Sequence, residues 1–261
     1  MRENTLKSAW GSGRETLGLW LATADPVTVE VLGGLGYDYL CLDVQHGLVD
    51  YSSAVPALQA QQRSSSIPIA RAPWNEPGII GKLLDAGVMG VIIPMVNTVA
   101  EAEQAVAACR YAPMGSRSYG PTRAAGALGG RYFEDANSQI ACIPMIETTT
   151  ALENLDDIAK VEGIDALYVG PADLAISLGF GPGSDNDDPS FQDALQHVLS
   201  ACEANGIAPG IHSVPSLVQT RLAQGFRMVT VTSDLQAAGA GAKQALAVAR
   251  GEGSSDGGSM Y

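Results

Sequence analysis

Short runs of apolar and β-branched residues recur along the chain, at intervals that leave room for a helix between them. Each run is continuous rather than alternating with polar residues, as expected of strands that are covered on both faces. The pattern therefore predicts eight buried strands, with the sequences TLGLWLAT, YDYLCLDV, IPIARAP, GVIIPMV, ACIPMIE, ALYVGPAD, APGIHSV and RMVTVTS.

The segments between these runs have helical spacing and recognisable helix ends. Thr98 and Glu101 have the spacing of a capping box, Asn75 with Pro77 is a typical helix entry, and Gly87 is a typical helix stop. We therefore predict a helix after each strand, over roughly residues 25–35, 50–62, 76–86, 98–110, 149–161, 189–205, 215–224 and 234–249.

Strict alternation of strand and helix, repeated eight times, indicates the fold class. Within one domain's length it favours a closed (β/α)8 TIM barrel over an open doubly wound sheet. We expect one α/β barrel domain over residues 1–250. Residues 251–261, GEGSSDGGSMY, are rich in Gly, Ser and acidic residues, and we expect them to form a disordered tail.

The charge balance restricts the partners of the protein. The chain has 261 residues, and 28 Asp and Glu against 15 Lys and Arg give it a net charge of −13. Such a chain offers no basic face to a phosphate backbone, so we expect no nucleic-acid partner. A small anionic substrate remains compatible with this charge, because a local arginine or a metal can reverse the field inside a cleft.

The cysteines and the N-terminus bear on location. The four cysteines show no CxxC spacing, and Cys41 and Cys142 lie in apolar runs, which favours a reducing compartment. The first residues, MRENTLKSAW, lack the apolar segment of a secretion signal, and no run reaches the roughly 18 apolar residues of a membrane span. We therefore expect a cytoplasmic protein with no membrane partner.

A TIM barrel carries its chemistry at the C-terminal ends of its strands, so the residues that follow each predicted strand are candidates. In chain order these residues are Asp25, Asp43 with His46, Arg71, Asn97, Glu147, Asp173, His212 and Asp234.

Glu147 and Asp173 follow neighbouring strands and can converge on one point. Two carboxylates held close together repel each other unless a cation lies between them. Two carboxylates, waters and a bidentate substrate complete the octahedron that Mg²⁺ or Mn²⁺ prefers, so we predict a divalent-metal site. The structural alternatives are helix capping by Asp173 and a salt bridge by Glu147.

Two histidines and one arginine complete the candidate chemistry. His46, in CLDVQHG, stands at a strand exit close to a carboxylate and is a credible general base, while His212, in GIHSV, is the weaker competitor. Arg71 follows an apolar strand and needs an anionic partner, which is either a substrate or, in a purely structural role, Asp43.

The four lysines argue against one mechanism. None of them falls at the end of a predicted strand, whereas Schiff-base catalysis needs a desolvated lysine in the barrel mouth. A metal is therefore the expected electron sink.

Several motifs of the chain together resemble the HpcH/HpaI aldolase family, the metal-dependent class II pyruvate aldolases. They run in register from about residue 4 to 249. The motifs are GLWLATADP, YLCLDVQHG, KLLDAGVMGVIIPMVNT, RYAPMGSRSYGPTRA and MIETTTALENLDDIAKVEGIDALYVGPADLAISLG, followed by the region of strands 7 and 8.

The resemblance implies a role for each catalytic candidate. Glu147 and Asp173 would bind Mg²⁺, Mn²⁺ or Co²⁺, His46 would be the base, and Arg71 would lie near the keto oxygen of pyruvate. Asp85, in KLLDAG, would support the histidine. The implied reaction joins pyruvate and an aldehyde, or cleaves a 4-hydroxy-2-oxo acid into them, in a homo-oligomer that is a trimer or a hexamer.

The resemblance also implies a substrate-binding set. The backbone at Gly170, Pro171 and Ala172 would hold the substrate carboxylate, and Asp43 and Arg123 are further candidate substrate-binding residues. Arg123 belongs to a loop on which other side chains, among them Arg117 and Tyr119, could meet a substrate or a neighbouring subunit.

One position departs from the family pattern, because Gln45 precedes the histidine where many members have Glu. Three other functions remain open. They are a CoA-ester lyase of the citrate lyase β or malyl-CoA lyase type, a phosphate-binding barrel enzyme, and a non-catalytic oligomeric barrel. The chain is acidic and short for the first, and the turns HSVPSL and TSDLQAAG match the second poorly.

Overall fold

Eight parallel strands form a closed barrel in the computed structural model, which describes residues 1–252. The strands follow one another in chain order, and the first also pairs with the last. This confirms the predicted (β/α)8 barrel. The strands are Thr16–Leu21 (β1), Tyr39–Asp43 (β2), Ile67–Arg71 (β3), Gly90–Ile93 (β4), Ala141–Ile146 (β5), Ala166–Val169 (β6), Ala208–Ile211 (β7) and Met228–Ser233 (β8).

Helices surround the barrel, and each predicted segment contains at least one of them. The α-helices are Thr5–Gly11 (α1), Pro26–Gly33 (α2), Tyr51–Gln61 (α3), Pro77–Ala86 (α4), Val99–Cys109 (α5), Ala124–Leu128 (α6), Tyr132–Gln139 (α7), Thr149–Glu153 (α8), Leu155–Ile158 (α9), Pro171–Ser177 (α10), Pro189–Asn205 (α11), Val218–Gln224 (α12) and Asp234–Ala249 (α13). A short 3₁₀ turn, Pro215–Leu217, leads into α12.

The strands are buried along almost their whole length, as their continuous apolar runs predict. Inside the barrel, Gly18 of β1 leaves room for the ring of Tyr39, because a Cβ atom at Gly18 would lie 2.0 Å from that ring. The hydroxyl groups of Tyr39 and Tyr168 both hydrogen-bond to Thr230. The barrel interior is therefore filled by side chains, and room for a ligand remains only at its ends.

The helix ends follow local signals. Thr98 caps α5 with Glu101 in the expected capping box, and Gly87 ends α4 in a left-handed conformation with φ of 108°. One prediction was wrong: the segment 149–161 is not one helix, since it breaks at Asn154 into α8 and α9. Four helices outside the predicted segments are α1, α6, α7 and α10.

Two further features of the described residues concern the cysteines and the hydropathy of the helices. All four cysteines are buried and free. Within residues 1–252, no helix combines the length and apolar character needed to cross a membrane. Most of the predicted tail, residues 253–261, lies outside the described residues.

Candidate active site

A cavity of about 280 Å³ opens at the C-terminal mouth of the barrel. Eight of the residues predicted from the sequence line it, including His212, and all come from strand ends or from the first residues after them. The lining residues are Trp20, Ala22, Asp43, His46, Arg71, Met145, Gly170, Pro171, Ala172, Asp173, Gly183, Ser184, His212 and Ser233. Two larger cavities, of about 600 and 680 Å³, lie elsewhere and contain none of these residues.

Glu147 follows β5 and lies almost completely buried beside this cavity, with 2% of its surface exposed. One carboxylate oxygen, Oε1, accepts a hydrogen bond of 2.8 Å from the backbone N–H of Met95, a residue in the left-handed conformation with φ of 56°. The other oxygen, Oε2, lies against Gly170, where a Cβ atom would approach it to 2.3 Å. Met95 thus fixes Oε1 of the carboxylate, and the missing side chain of Gly170 leaves space beside Oε2.

The electrostatic setting of Glu147 favours a cation. Burial raises its pKa to about 7 in spite of the hydrogen bond from Met95, and the charge of Asp173 adds to the rise while Arg71 opposes it. A carboxyl group in this state gains more from a nearby positive charge than an exposed one does, since it lacks the solvation of water.

Asp173 is the third residue of α10 and is exposed in the cavity wall. Gly170 is the N-cap of this helix, so the alternative of helix capping by the Asp173 side chain does not hold. Among the described residues, neither Asp173 nor Glu147 forms a salt bridge. The side chain of Asp173 is therefore free to bind something that is not part of the chain.

The two carboxylates fit a divalent cation by their chemistry. They supply oxygen donors only, which suits Mg²⁺, Mn²⁺ or Co²⁺ better than a thiolate-binding metal. Within residues 1–252, no cluster of three or more His, Cys, Asp or Glu side chains could hold a metal. Such a cation would have to complete its coordination with water or substrate.

Arg71 and Asp43 form a bidentate ion pair at the ends of β3 and β2. The guanidinium donates through Nε at 2.9 Å and through Nη2 at 2.7 Å, and both side chains are buried. Burial alone would raise the pKa of Asp43, but the hydrogen bonds and charge of Arg71 outweigh it and lower the pKa. The third nitrogen of Arg71, Nη1, has no hydrogen-bond partner within the described residues, and Arg71 lines the cavity.

Asp43 also holds the turn that carries the histidine. Its Oδ1 accepts the backbone N–H groups of Gln45 and His46, each at 3.2 Å. Asp43 thus supports Arg71 and this turn; it also lines the cavity, and its predicted contact with the substrate stays a prediction. The imidazole of His46 is exposed at the cavity, with no hydrogen bond to the described residues.

His212 lies in the wall of the cavity together with Trp20 of β1. Its ring meets the indole edge-on, with centroids 4.8 Å apart and planes at 83°. The guanidinium of Arg71 covers the same indole, 4.5 Å from the ring centroid. Trp20 therefore connects the two sides of the mouth by packing against both residues.

Two predicted site residues do not come to the cavity within one chain. Asp85, at the end of α4, accepts a hydrogen bond of 2.7 Å from Arg117 and has no contact with His46. Arg123 donates to the backbone carbonyls of Ala86 and Leu58, against helices α4 and α3. Within one chain those carbonyls hold its guanidinium outside the cavity, and the predicted contact of Arg123 with the substrate stays a prediction.

The remaining strand-end candidates have structural roles. Asp25 caps α2, the amide of Asn97 bonds to the carbonyl of Met95, and Asp234 ties the end of β1 to α13 through the backbone N–H groups of Ala22 and Thr23.

Sequence reasoning missed several residues of the cavity. Trp20 lies inside an apolar strand run, and its only signal is that bulky aromatic residues are rare in this chain. Ser184 comes from a loop that carries no strand-end signal. The buried Arg221 of α12 places that loop, because its guanidinium donates to the carbonyl of Ser184 and pairs with Asp185.

The chain belongs to the HpcH/HpaI aldolase/citrate lyase family, whose model matches residues 16–239. The family expected from the motifs is thus confirmed.

Two curated relatives extend over most of the chain. A hydroxypyruvate/pyruvate aldolase of Rhizorhabdus wittichii is 38% identical over 248 residues, which cover 95% of this chain and 99% of the relative. A 5-keto-4-deoxy-D-glucarate aldolase of Shigella dysenteriae is 40% identical over 235 residues, covering 89% of this chain and 91% of the relative.

The fold is shared with a solved structure of the same family. The crystal structure of an HpcH/HpaI aldolase/citrate lyase family protein from Burkholderia cenocepacia superposes with a TM-score of 0.88 at 32% identity. The match covers 95% of this chain and 99% of that protein.

Proposed function

We propose that this chain is a divalent-cation-dependent class II aldolase, a carbon–carbon lyase that joins a pyruvate-type 2-oxo acid to an aldehyde or cleaves the resulting 4-hydroxy-2-oxo acid. The observation that carries the proposal is the pair Glu147 and Asp173, two carboxylates beside one cavity that also contains Arg71 and His46. The family and the names of the relatives support the reaction class.

Glu147 and Asp173 would hold Mg²⁺, Mn²⁺ or Co²⁺. When bound, such a cation supplies Lewis acidity that makes the carbon next to a keto group easier to deprotonate. Met95 contributes by fixing Oε1 of Glu147 through its backbone N–H, and Gly170 contributes by leaving Oε2 unobstructed.

The start of α10 would bind the carboxylate of the substrate. Gly170 caps this helix, and Pro171 occupies its first position and has no N–H. The backbone N–H groups of Ala172 and Asp173 therefore belong to the first turn, where helices leave donors without intrahelical partners. Ala172 and Asp173 both line the cavity, which suits a 2-oxo acid bound against this turn.

Arg71 would stabilise the oxygen of the keto group as it gains negative charge. The ion pair with Asp43 uses Nε and Nη2 and holds the guanidinium plane, so that Nη1 is available to the substrate at little entropic cost. Trp20 packs against the guanidinium and limits its movement further.

His46 would transfer the proton to and from the hydroxyl group at C4. Its imidazole is exposed to the cavity, and the hydrogen bonds from Gln45 and His46 to Asp43 fix the turn on which it stands. A free imidazole at this position can work directly or through a water molecule.

We further propose that the protein is a homo-oligomer, a trimer or a hexamer, and two exposed apolar faces support this. Helix α13 has 16 residues, of which only Asp234 is buried, and its Leu235 and Leu246 are about half exposed. Helix α2 and the turn after it expose large apolar side chains, namely Val27 and Val31 on the helix and Leu35 just beyond its end. Apolar faces of this kind are usual where subunits meet.

In an oligomer, Asp85 of one subunit could contribute to the active site of another. Within one chain it pairs with Arg117 away from the cavity, so it could support His46 only from a second copy. Light scattering during size-exclusion chromatography tests the assembly, and a monomer at working concentration with full activity would contradict this part of the proposal.

The free buried cysteines fit a reducing compartment, and we place the enzyme in the cytoplasm.

The main experiment measures the release of pyruvate or hydroxypyruvate from a panel of 4-hydroxy-2-oxo acids, in chelator and after Mg²⁺, Mn²⁺ or Co²⁺ is restored. We expect release to stop in chelator and to return with a divalent cation. Glu147→Gln should show no response to the cation, whereas Glu153→Gln, an exposed matched control on α8, should behave as wild type.

Full release in chelator would contradict the proposed cation dependence. Cleavage of malyl-CoA in place of the free acids would favour a CoA-ester lyase. A folded protein that binds no divalent cation in a titration would favour a non-catalytic barrel.

A further inference from the structure

His212 is placed in the cavity by the barrel itself. It follows β7 directly, and its backbone N–H donates to the carbonyl of Val169 at the end of β6. Its ring is held edge-on against Trp20, at 4.8 Å between centroids. Within residues 1–252, neither ring nitrogen has a hydrogen-bond partner, although the residue lines the cavity. The proposed reaction assigns this imidazole no task.

The imidazole of His212 is neutral at physiological pH. Burial, followed by the charge of Arg71, lowers its pKa to about 4, and Asp43 opposes this only in part. A neutral imidazole has one N–H donor and one nitrogen acceptor. It therefore differs from Arg71, which only donates and carries a charge.

These properties restrict the kind of substrate group that the His212 imidazole can bind. A carboxylate would find a better partner in Arg71 or in the backbone N–H groups of α10. An apolar group would leave the two ring nitrogens without water and without a partner, which is costly. A hydroxyl group both donates and accepts, as the imidazole does, and two serines, Ser184 and Ser233, line the same cavity as His212.

We propose that His212 hydrogen-bonds a hydroxyl group of the substrate and so makes this enzyme prefer hydroxylated substrates over their deoxy counterparts. The inference rests on the proposed aldolase function and names the substrate class of the same site. Two parts of the reaction could carry the hydroxyl group: C3 of the 2-oxo acid, as in hydroxypyruvate, or the carbon next to the aldehyde, as in glycolaldehyde.

The test compares kcat/KM for matched substrate pairs. One pair is hydroxypyruvate and pyruvate with a common aldehyde, and the other is glycolaldehyde and acetaldehyde with a common 2-oxo acid. The variants are His212→Phe, which keeps a ring of similar size without its nitrogens, and His212→Gln, which restores a donor and an acceptor. His197→Phe is the matched control, because His197 lies on the surface of α11 and pairs with Asp156.

We expect wild type to prefer the hydroxylated member of at least one pair. His212→Phe should reduce that preference about tenfold, the size expected for one hydrogen bond in a desolvated site. His212→Gln should recover part of it, and His197→Phe should leave it unchanged. The pair whose ratio falls identifies which part of the substrate carries the recognised hydroxyl group.

Equal ratios in wild type and His212→Phe, for both pairs, would overturn this inference while leaving the aldolase function intact. So would a His212→Gln variant that loses preference as fully as His212→Phe while its melting temperature stays at the wild-type value. Absence of cation-dependent carbon–carbon bond cleavage in wild type would instead overturn the proposed function, and this inference with it.

Discussion

The two ends of the barrel use charged residues in opposite ways. At the N-terminal end, Asp165 precedes β6 and is fully engaged: Oδ1 pairs with Lys7 at 2.8 Å, and Oδ2 accepts from Arg110 and from the backbone N–H of Cys142, both at 2.8 Å. At the C-terminal mouth, Glu147 accepts a single backbone N–H, and Asp173 accepts none among the described residues.

This difference between the two ends indicates that the charged residues at the N-terminal end stabilise the fold, whereas those at the mouth bind a ligand. A charged group whose partners are all in the protein contributes to the folded state and has nothing left for a ligand. A charged group with free donors or acceptors costs folding free energy when it is buried, and that cost is recovered when a ligand binds. The mouth is therefore where binding free energy is available, and the following variants test this division.

The largest effect is expected at the two carboxylates. Glu147→Gln and Asp173→Asn should each reduce cation-dependent cleavage to the level of wild type in chelator, because one of the two carboxylate charges that would hold the cation is lost. Circular dichroism should show an unchanged fold. Steady-state rates over a range of Mn²⁺ concentrations check this, and wild-type turnover by Asp173→Asn at low Mn²⁺ would remove Asp173 from the site.

His46→Ala should lower kcat by about 10² to 10⁴, the usual contribution of a general acid or base. The expected cause is loss of proton transfer at the C4 hydroxyl group, so the folded stability should not change. The comparison with His212→Ala decides between the two histidines. A greater loss of kcat in His212→Ala would mean that His212, and not His46, is the base.

Arg71→Ala should lower kcat more than it raises KM, by roughly 3 to 4 kcal/mol in transition-state stabilisation, since its contact strengthens as the keto oxygen gains charge. Arg71→Lys keeps the charge but not the planar fork and should recover only part of the rate. Exchange of the methyl protons of pyruvate into heavy water reports this step without an aldehyde. Wild-type exchange in Arg71→Ala would leave the pair with Asp43 as the only role of this arginine.

Asp165→Asn tests the opposite end of the barrel. It leaves the buried Arg110 and the half-buried Lys7 without their carboxylate, and we expect a loss of about 3 kcal/mol in the free energy of unfolding. The kcat at 25 °C should stay within about twofold of wild type. Urea unfolding and steady-state kinetics check both, with Asp156→Asn as the control, because its pair with His197 is exposed. A large loss of kcat would break the division between the two ends.

The last effect appears only at high pH and concerns the stability cost of Glu147 itself. Its folded pKa of about 7 lies above the unfolded value of about 4.5, so the charged form is disfavoured by folding. In chelator, the penalty is absent below pH 4.5, grows between pH 4.5 and 7, and reaches on the order of 3 kcal/mol above pH 7. Glu147→Gln should therefore be more stable than wild type at pH 8 but not at pH 4.5. Equal stability of the two proteins at pH 8 would contradict the buried, unpaired state of this carboxylate.

The sequence alone determined the architecture, because its signals are local. Continuous apolar runs mark strands covered on both faces, and caps such as Thr98 with Glu101 mark helix starts, so the order of strands and helices could be read directly. That order implies a barrel and places Glu147, Asp173, Arg71 and His46 at one end of it. The break at Asn154 and the four additional helices could not be predicted from the sequence, because the stability of short helices depends on the packing around them.

Only the tertiary structure decided how those residues are used. The burial of Glu147, the left-handed turn that aims the N–H of Met95 at it, and the contact of Trp20 with both Arg71 and His212 join segments that are far apart in the chain. The same holds for the residues that stayed outside: Asp85 and Arg123 have charges as suitable as those in the cavity, but Arg117 and backbone carbonyls hold them elsewhere. Charge and spacing are properties of the sequence, whereas solvation and the choice of partner arise only when distant segments meet.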